Sequence, residues 1–208
     1  MDGTPLYAHR WVGAGYDALA SVVYAPLGGL AGLRAQALDA APLVPAARVL
    51  ELGCGTGGFT RLLSTRAAHV TSVDKSPNMM ARARRRAPTA ELVEGDITTY
   101  RAARGVFDIV WCAFVLHELD RAGRAAALAI AHQALAPGGT LVIVEHALPT
   151  RGFWPRVMSR FVHAFEPTTV VEWVRGGFTH ELLEAGFAET SRTLLARGTA
   201  VVLTCAPR

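Results

Sequence analysis

The chain reads as an α/β domain built on a mainly parallel sheet, and three observations predict it. Short apolar runs alternate with helical segments from residue 48 onward. A hydrophobic strand runs directly into a glycine-rich turn and a helix at residues 48–59. Two further β-type runs close the chain with too few residues between them for a parallel crossover, so they form an antiparallel pair. With 208 residues, 51% of them hydrophobic and 18% charged, the sequence suits one domain with a sizeable core. That apolar content offsets chain entropy and excludes disorder for most of the chain.

The candidate strands are Arg48–Gly53, His69–Asp74, Ala90–Glu94, Phe107–Cys112 and Thr140–His146, each short enough to be buried on both faces. The first helix follows the glycine turn at Phe59. Ser76-Pro77 opens another, because serine accepts from the orphan amides and proline has no N–H to waste at the first helical position. It should run to about Arg86. Asp120 caps a helix over Arg121–Ala136, which Pro137-Gly138-Gly139 ends. Phe187–Leu195 and Thr199–Cys205, joined around Arg197-Gly198, make the terminal hairpin.

Residues 1–46 read as two helical pieces broken at Pro26-Leu27-Gly28-Gly29, a helical cap in front of a main domain at 47–208. Between the fifth strand and the hairpin lies an insertion, residues 147–178. There Phe153, Trp154, Val157, Met158 and Phe161 recur at helical spacing opposite Arg156 and Arg160, which fits either core packing or a wall for an apolar acceptor.

The net charge of +4 is spread along the chain, and Lys75 is the only lysine. The Arg82, Arg84, Arg85, Arg86 cluster falls at a helix C-terminus, where cations complement the dipole, so it reads as a solvated face and no nucleic-acid partner is expected. Peripheral contact with a membrane stays open. Cys54, Cys112 and Cys205 are odd in number and widely separated, which speaks against a metal site and for a reducing compartment. The first residues lack a signal-peptide pattern and no apolar run reaches the roughly 18 residues of a membrane span, so a cytoplasmic protein is expected.

The most informative stretch is Glu51-Leu52-Gly53-Cys54-Gly55-Thr56-Gly57-Gly58. Glycines let the backbone turn sharply and approach a ligand, and the helix behind them presents unsatisfied amides to an anionic group. As spelled, Gly53-x-Gly55-x-x-Gly58 with Asp74 at the next strand end also satisfies the dinucleotide fingerprint, which keeps a nicotinamide oxidoreductase as one reading. A non-catalytic cofactor-binding protein is another.

Five motifs occur in order: the glycine turn, Asp74-x-Ser76-x-x-Met79-Met80, Gly95-Asp96-Ile97, Phe107-Asp108-Ile109-Val110 and Leu135-x-Pro137-Gly138-Gly139. In these the chain resembles the class I S-adenosylmethionine-dependent methyltransferases, over residues 48–146 and the terminal hairpin. Their small-molecule branch includes quinone C-methylating and phospholipid N-methylating enzymes. The resemblance implies a single Rossmann-like three-layer domain whose mainly parallel seven-stranded sheet ends in an antiparallel hairpin. It implies S-adenosyl-L-methionine as cofactor and S-adenosyl-L-homocysteine as product. Gly53, Gly55 and Gly57 would shape the loop around the methionine moiety beside Glu51 and Thr56. Asp74, with Lys75 next to it, would take the ribose hydroxyls. Asp96 would bind the adenine amino group, with Ile97 and Met79 lining the adenine. Cys112 and Ala113 would offer carbonyls near the methionine ammonium, and Tyr16 would close over the site.

Ligands of open α/β sheets bind at the carboxyl ends of strands, and Glu51, Asp74, Asp96 and Cys112 all fall there. Asp108 opens its strand at the opposite edge and reads as structural. Methyl transfer from a sulfonium is an in-line displacement that rewards positioning and exclusion of water. A hydroxyl or ring-carbon acceptor benefits from a base, and His117 and His146 follow the fourth and fifth strands. No Asn-Pro-Pro-Tyr or Asp-Pro-Pro-Tyr follows the fourth strand, the element that family members acting on amide or exocyclic nitrogens carry. The expected acceptor is a small, apolar molecule: a quinone, a lipid or a secondary metabolite, with phospholipid N-methylation at a membrane surface as an alternative.

Overall fold

The structure, a computed structural model, describes residue 25, residues 28–147 and residues 178–208. Tyr16, most of the expected N-terminal cap and nearly all of the 147–178 insertion lie outside the described residues. In chain order the elements are α1 (Gly29–Asp39), β1 (Arg48–Leu52), α2 (Gly58–Leu63), β2 (His69–Asp74), α3 (Pro77–Arg86), β3 (Glu91–Glu94) and β4 (Phe107–Ala113). A one-turn 3-10 helix (Leu116–Glu118), α4 (Arg121–Ala134), β5 (Leu135–His146), α5 (Phe178–Glu184), β6 (Phe187–Leu195) and β7 (Ala200–Pro207) complete them.

The seven strands form one sheet in the order β3-β2-β1-β4-β5-β7-β6. The pairs from β3 through β5 are parallel, while β7 runs antiparallel between β5 and β6. The sheet therefore ends in an antiparallel hairpin as expected, and the structure seats its second strand beside β5 and its first at the edge. Strand order reverses between β1 and β4, and that switch point opens the crevice in which open α/β sheets take their ligands.

The side-chain alternation of the strands divides the core in two. Leu50 and Leu52 of β1, Val110 and Cys112 of β4, and Leu141 and Ile143 of β5 pack with Ala127, Leu128 and Ala131 of α4 and Leu182 of α5. Val49, Ile109, Trp111, Val142 and Val144 point the other way, onto Leu33 and Ala37 of α1 and Phe59 and Leu63 of α2. Three layers result, helices on both faces of a sheet that is apolar on both sides. Glu51 falls on the α1–α2 face with Val49, Glu145 on the α4 face with Ile143, and His146 on the opposite face with Val144.

Two helix starts are built as read. Ser76 Oγ accepts from the Met79 amide at 3.4 Å with Pro77 in the first turn, and Asp120 Oδ1 accepts from the Gly123 amide at 2.7 Å. Asp120→Ala should lower stability by about 1 kcal/mol, measured by denaturant unfolding, since a lost N-cap leaves an orphan amide without its acceptor. Asp108 is structural as expected, its Oδ2 accepting from the Arg48 amide at 2.8 Å.

The Pro137-Gly138-Gly139 segment corrects the reading at α4. The helix ends at Ala134, and β5 starts at Leu135, pairs with Phe107, and resumes at Ile109↔Thr140 after a register irregularity. The tripeptide is thus an excursion within β5 in place of a helix stop. β4 also extends one residue beyond expectation, so Cys112 and Ala113 belong to the strand itself.

Candidate active site

The glycine turn is held by contacts that require glycine at two positions. Gly53 and Gly57 have φ of +80° and +79°. A Cβ at Gly53 would lie 2.8 Å from Val115 Cβ, and one at Gly57 would lie 2.9 Å from Ala83 Cα in α3. At Gly55 the opposite holds: among the described residues a Cβ would meet nothing within 4 Å.

Asp74, at the end of β2, closes the turn from the side. Its Oδ2 accepts from the Gly55 amide at 2.8 Å and its Oδ1 from the Ser76 amide at 2.9 Å, so the carboxylate ties the glycine loop to the start of α3. Burial raises its pKa despite those two amides and the Lys75 charge. Each oxygen keeps a second lone pair for hydroxyls of a ligand.

Glu51, at the end of β1, is buried, and its Oε2 accepts from Thr60 Oγ1 at 2.6 Å and Ser72 Oγ at 2.7 Å. Burial pushes its carboxyl up to about 7; the two hydroxyls act against that shift, the Asp74 charge adds to it, and Arg34 of α1 opposes it. The Arg34 guanidinium presses against Gly58 and lies 5.8 Å from the Phe59 ring centroid. Thr56 is buried in the turn and its Oγ1 accepts from Arg86 at 2.8 Å, which anchors the turn to the last residue of α3.

On the other side of Asp74, Asp96 follows β3. Its Oδ1 accepts from the Thr98 amide at 2.8 Å and hydroxyl at 2.7 Å, and its Oδ2 faces Lys75 Nζ at 3.9 Å. The Thr98 hydrogen bonds hold its pKa below the usual carboxylate value. Ile97 is buried in the β4–α4 core and Met79 is half-buried in the first turn of α3. The residues expected from the sequence to bind cofactor therefore sit at the carboxyl ends of β1, β2, β3 and β4, apart from Tyr16.

The two expected histidines meet. His117, in the 3-10 turn after β4, and His146, the last residue of β5, have ring centroids 5.1 Å apart. Two residues the sequence reading passed over complete the group. Glu145 is buried on β5, and its Oε2 lies 2.6 Å from His117 Nδ1. The Phe114 ring packs tilted against the His146 ring, centroids 4.9 Å apart, and Phe114 holds φ of +51°, a conformation bulky side chains adopt rarely. No spacing announces a positive-φ phenylalanine. An acidic residue at the end of the fifth strand was a visible signal, obscured because an apolar strand gives no reason to look inward.

No helix among the described residues is long and apolar enough to cross a membrane, and no cluster of three or more His, Cys, Asp or Glu side chains suited to a metal occurs among them.

Comparison with known proteins bears on the fold and the family. Residues 49–139 match the model of a methyltransferase domain family. The chain is 30% identical over 198 residues to the uncharacterized methyltransferase sll0829 of Synechocystis sp., covering 95% of this chain and 92% of that protein. It is 37% identical over 116 residues to a demethylmenaquinone methyltransferase of Beutenbergia cavernae, covering 56% of this chain and 48% of that one. The crystal structure of a TehB-like SAM-dependent methyltransferase from Corynebacterium glutamicum shares the fold, with a TM-score of 0.68 and 24% identity over 96% of this chain and all of that one. With the switch in strand order, the glycine turn and the antiparallel β7 in place, the chain belongs to the class I S-adenosylmethionine-dependent methyltransferases.

Proposed function

We propose that the protein transfers a methyl group from S-adenosylmethionine to a small, apolar acceptor such as a quinone, a lipid or a secondary metabolite. The observation that carries this reading is the row of polar groups at the strand ends beside the glycine turn: Glu51, Asp74 and Asp96 at successive strand ends, with the His117–His146 pair at the ends of β4 and β5. Bound S-adenosylmethionine supplies a methyl group on a sulfonium, ready for displacement by a nucleophile. Demethylmenaquinone, named as the acceptor of the Beutenbergia cavernae relative, is of the proposed class.

Each residue has a task in this reading. The turn at Gly53–Gly57 receives the methionine portion, with Glu51 and Thr56 behind it and the carbonyls of Cys112 and Ala113 across from it. Asp74 takes the ribose hydroxyls, and Asp96, Ile97 and Met79 receive the adenine, Lys75 lying over Asp96. His117 and His146 stand on the acceptor side, and acceptor choice is assigned to residues 147–178. In-line displacement gains most from groups that hold the reactants aligned and keep water away, which suits a site built from buried, mutually bonded side chains.

Calorimetry with S-adenosylhomocysteine tests the donor half. Asp74→Ala removes charged hydrogen bonds to the ribose and should weaken binding about tenfold or more. Unchanged affinity would overturn the ribose assignment. Incubation with labelled S-adenosylmethionine and a fractionated small-molecule extract tests the acceptor half; label appearing only in macromolecules would contradict it.

A further inference from the structure

The ends of four neighbouring strands are linked sideways, and the link passes through the glycine turn. On the β5 side, three successive amides of the segment leaving β4 are answered by two successive residues. The Val144 carbonyl accepts from the Phe114 amide at 2.8 Å, and Glu145 Oε1 accepts from the Val115 amide at 3.2 Å and the Leu116 amide at 3.1 Å. Glu145 is fully buried, and its Oε2 lies 2.6 Å from His117 Nδ1 in the same segment. Phe114 enters the segment at φ of +51°, and backbone strain of this kind persists only where the surroundings over-determine it. The three amide bonds supply that constraint.

On the other side the link reaches β1 and β2. The Val115 side chain lies directly against Gly53: a Cβ placed on that glycine would come within 2.8 Å of Val115 Cβ and 3.2 Å of Val115 Cγ1. From β2, the Val73 carbonyl accepts from the Gly53 amide at 2.8 Å and the Cys54 amide at 3.2 Å. The first glycine of the turn is therefore held between β2 and Val115.

We propose that Val115 is a positioning residue of the donor turn, and that Glu145 acts on the turn by holding Val115 against Gly53. The proposal rests on the methyl-transfer reading for the identity of the ligand that the turn receives. A turn rich in glycine has wide backbone freedom, and whatever freedom it keeps in the free protein is lost on binding. A side chain branched at Cβ is a stiff buttress against that motion, because its χ1 is restricted. Burial would raise the Glu145 carboxyl, and the His117 charge and hydrogen bond hold it low instead. An ionised acceptor binds the two amides more strongly than a neutral one, which fastens the buttress to β5.

Calorimetry with S-adenosylhomocysteine and amide hydrogen exchange of the full chain test this together. Val115→Ala should weaken binding by about tenfold and speed exchange at the Gly53 and Cys54 amides by a similar factor, relative to amides within β1 and β2. Val115→Thr, which keeps the branch at Cβ, should recover most of both. Glu145→Ala should weaken binding in the wild-type background and have little further effect in a Val115→Ala background, since two residues acting through one contact are not additive.

Unchanged affinity or unchanged exchange in Val115→Ala overturns the proposal, as does a Glu145→Ala loss of equal size in both backgrounds. If Glu145→Ala fails to fold, the two Val115 variants decide alone, and a threonine variant that behaves as the alanine one overturns the role of the branched side chain. The exchange comparison needs no ligand. A wild type that does not bind S-adenosylhomocysteine therefore sinks the methyl-transfer reading, while exchange at Gly53 and Cys54 still decides whether Val115 positions the turn.

Discussion

Gly57→Ala should weaken S-adenosylhomocysteine binding by about a hundredfold or more and destabilise the protein. Two costs coincide. The backbone at Gly57 has φ of +79°, where an L side chain is strained by about 1–3 kcal/mol. The new Cβ would also lie 2.9 Å from Ala83 Cα and 3.1 Å from Ala83 Cβ, and a helix backbone cannot swing aside as a flexible side chain does. Either α3 retreats from the turn or the turn retreats from α3.

Both movements reach the site. Ala83 lies on the helix that starts at Ser76, whose amide is bonded to Asp74, and the Gly55 amide bonded to the same carboxylate is two residues before Gly57. Shifting the turn therefore pulls on the group proposed to hold the ribose. Overpacking of this kind costs roughly 1–3 kcal/mol beyond the backbone strain, which together corresponds to a loss of about a hundredfold or more in affinity and several degrees in Tm. Calorimetry and thermal unfolding read the two effects separately. Gly55→Ala is the control: its Cβ meets nothing within 4 Å among the described residues, so it should weaken binding through the ligand and strain the turn without displacing α3.

The contrast between these glycines shows what the sequence could and could not reveal. The strand–turn–helix pattern was legible because it depends on local chemistry: apolar strand residues, glycines, and a capped helix with proline in its first turn. The mainly parallel sheet and the terminal antiparallel pair were legible because alternation and spacing leave few topologies, whereas the seat of that pair beside β5 was legible only through the family resemblance. The boundary at Ala134–Leu135 was misread because Pro137-Gly138-Gly139 stops a helix in most settings, and only pairing with β4 shows it held as an excursion within a strand. Asp74, Asp96 and Glu51 were expected at strand ends, and the strands do end beside them. Glu145 and Phe114 were not, because their roles come from tertiary contacts: an inward carboxylate answered by two amides and an imidazole, and a strained phenylalanine set against His146. Nothing local in the sequence encodes such a partner.

Glu51→Gln should raise stability and lower cofactor affinity at the same time, with both effects depending on pH. In the unfolded chain the Glu51 carboxyl ionises near 4.5, whereas burial holds its proton on to about pH 7 in the fold. Between those values the folded state binds more protons than the unfolded state, so stability falls as pH rises through the window, and the full penalty is present above pH 7. A neutral glutamine carries no such penalty and its oxygen can still accept from Thr60 and Ser72. At pH 8 the variant should therefore be more stable by roughly 1–3 kcal/mol, while near pH 4 the two proteins should unfold alike. Binding runs the other way. A ligand ammonium beside Glu51 favours the ionised carboxylate, so wild-type affinity for S-adenosylhomocysteine should rise as pH approaches 7, by at most about tenfold per unit, and then level off. Below the plateau, binding should release a proton, measured by calorimetry in buffers of different ionisation enthalpy. Glu51→Gln should lose both the slope and the proton release, with affinity at pH 8 lowered by about tenfold or more. A pH-independent wild-type affinity would remove Glu51 from the cofactor site. An unfolding midpoint that responds to the substitution equally at pH 4 and pH 8 would remove its ionisation from the energetics of the fold, because an amide differs from a protonated carboxyl by far less than from a buried charge.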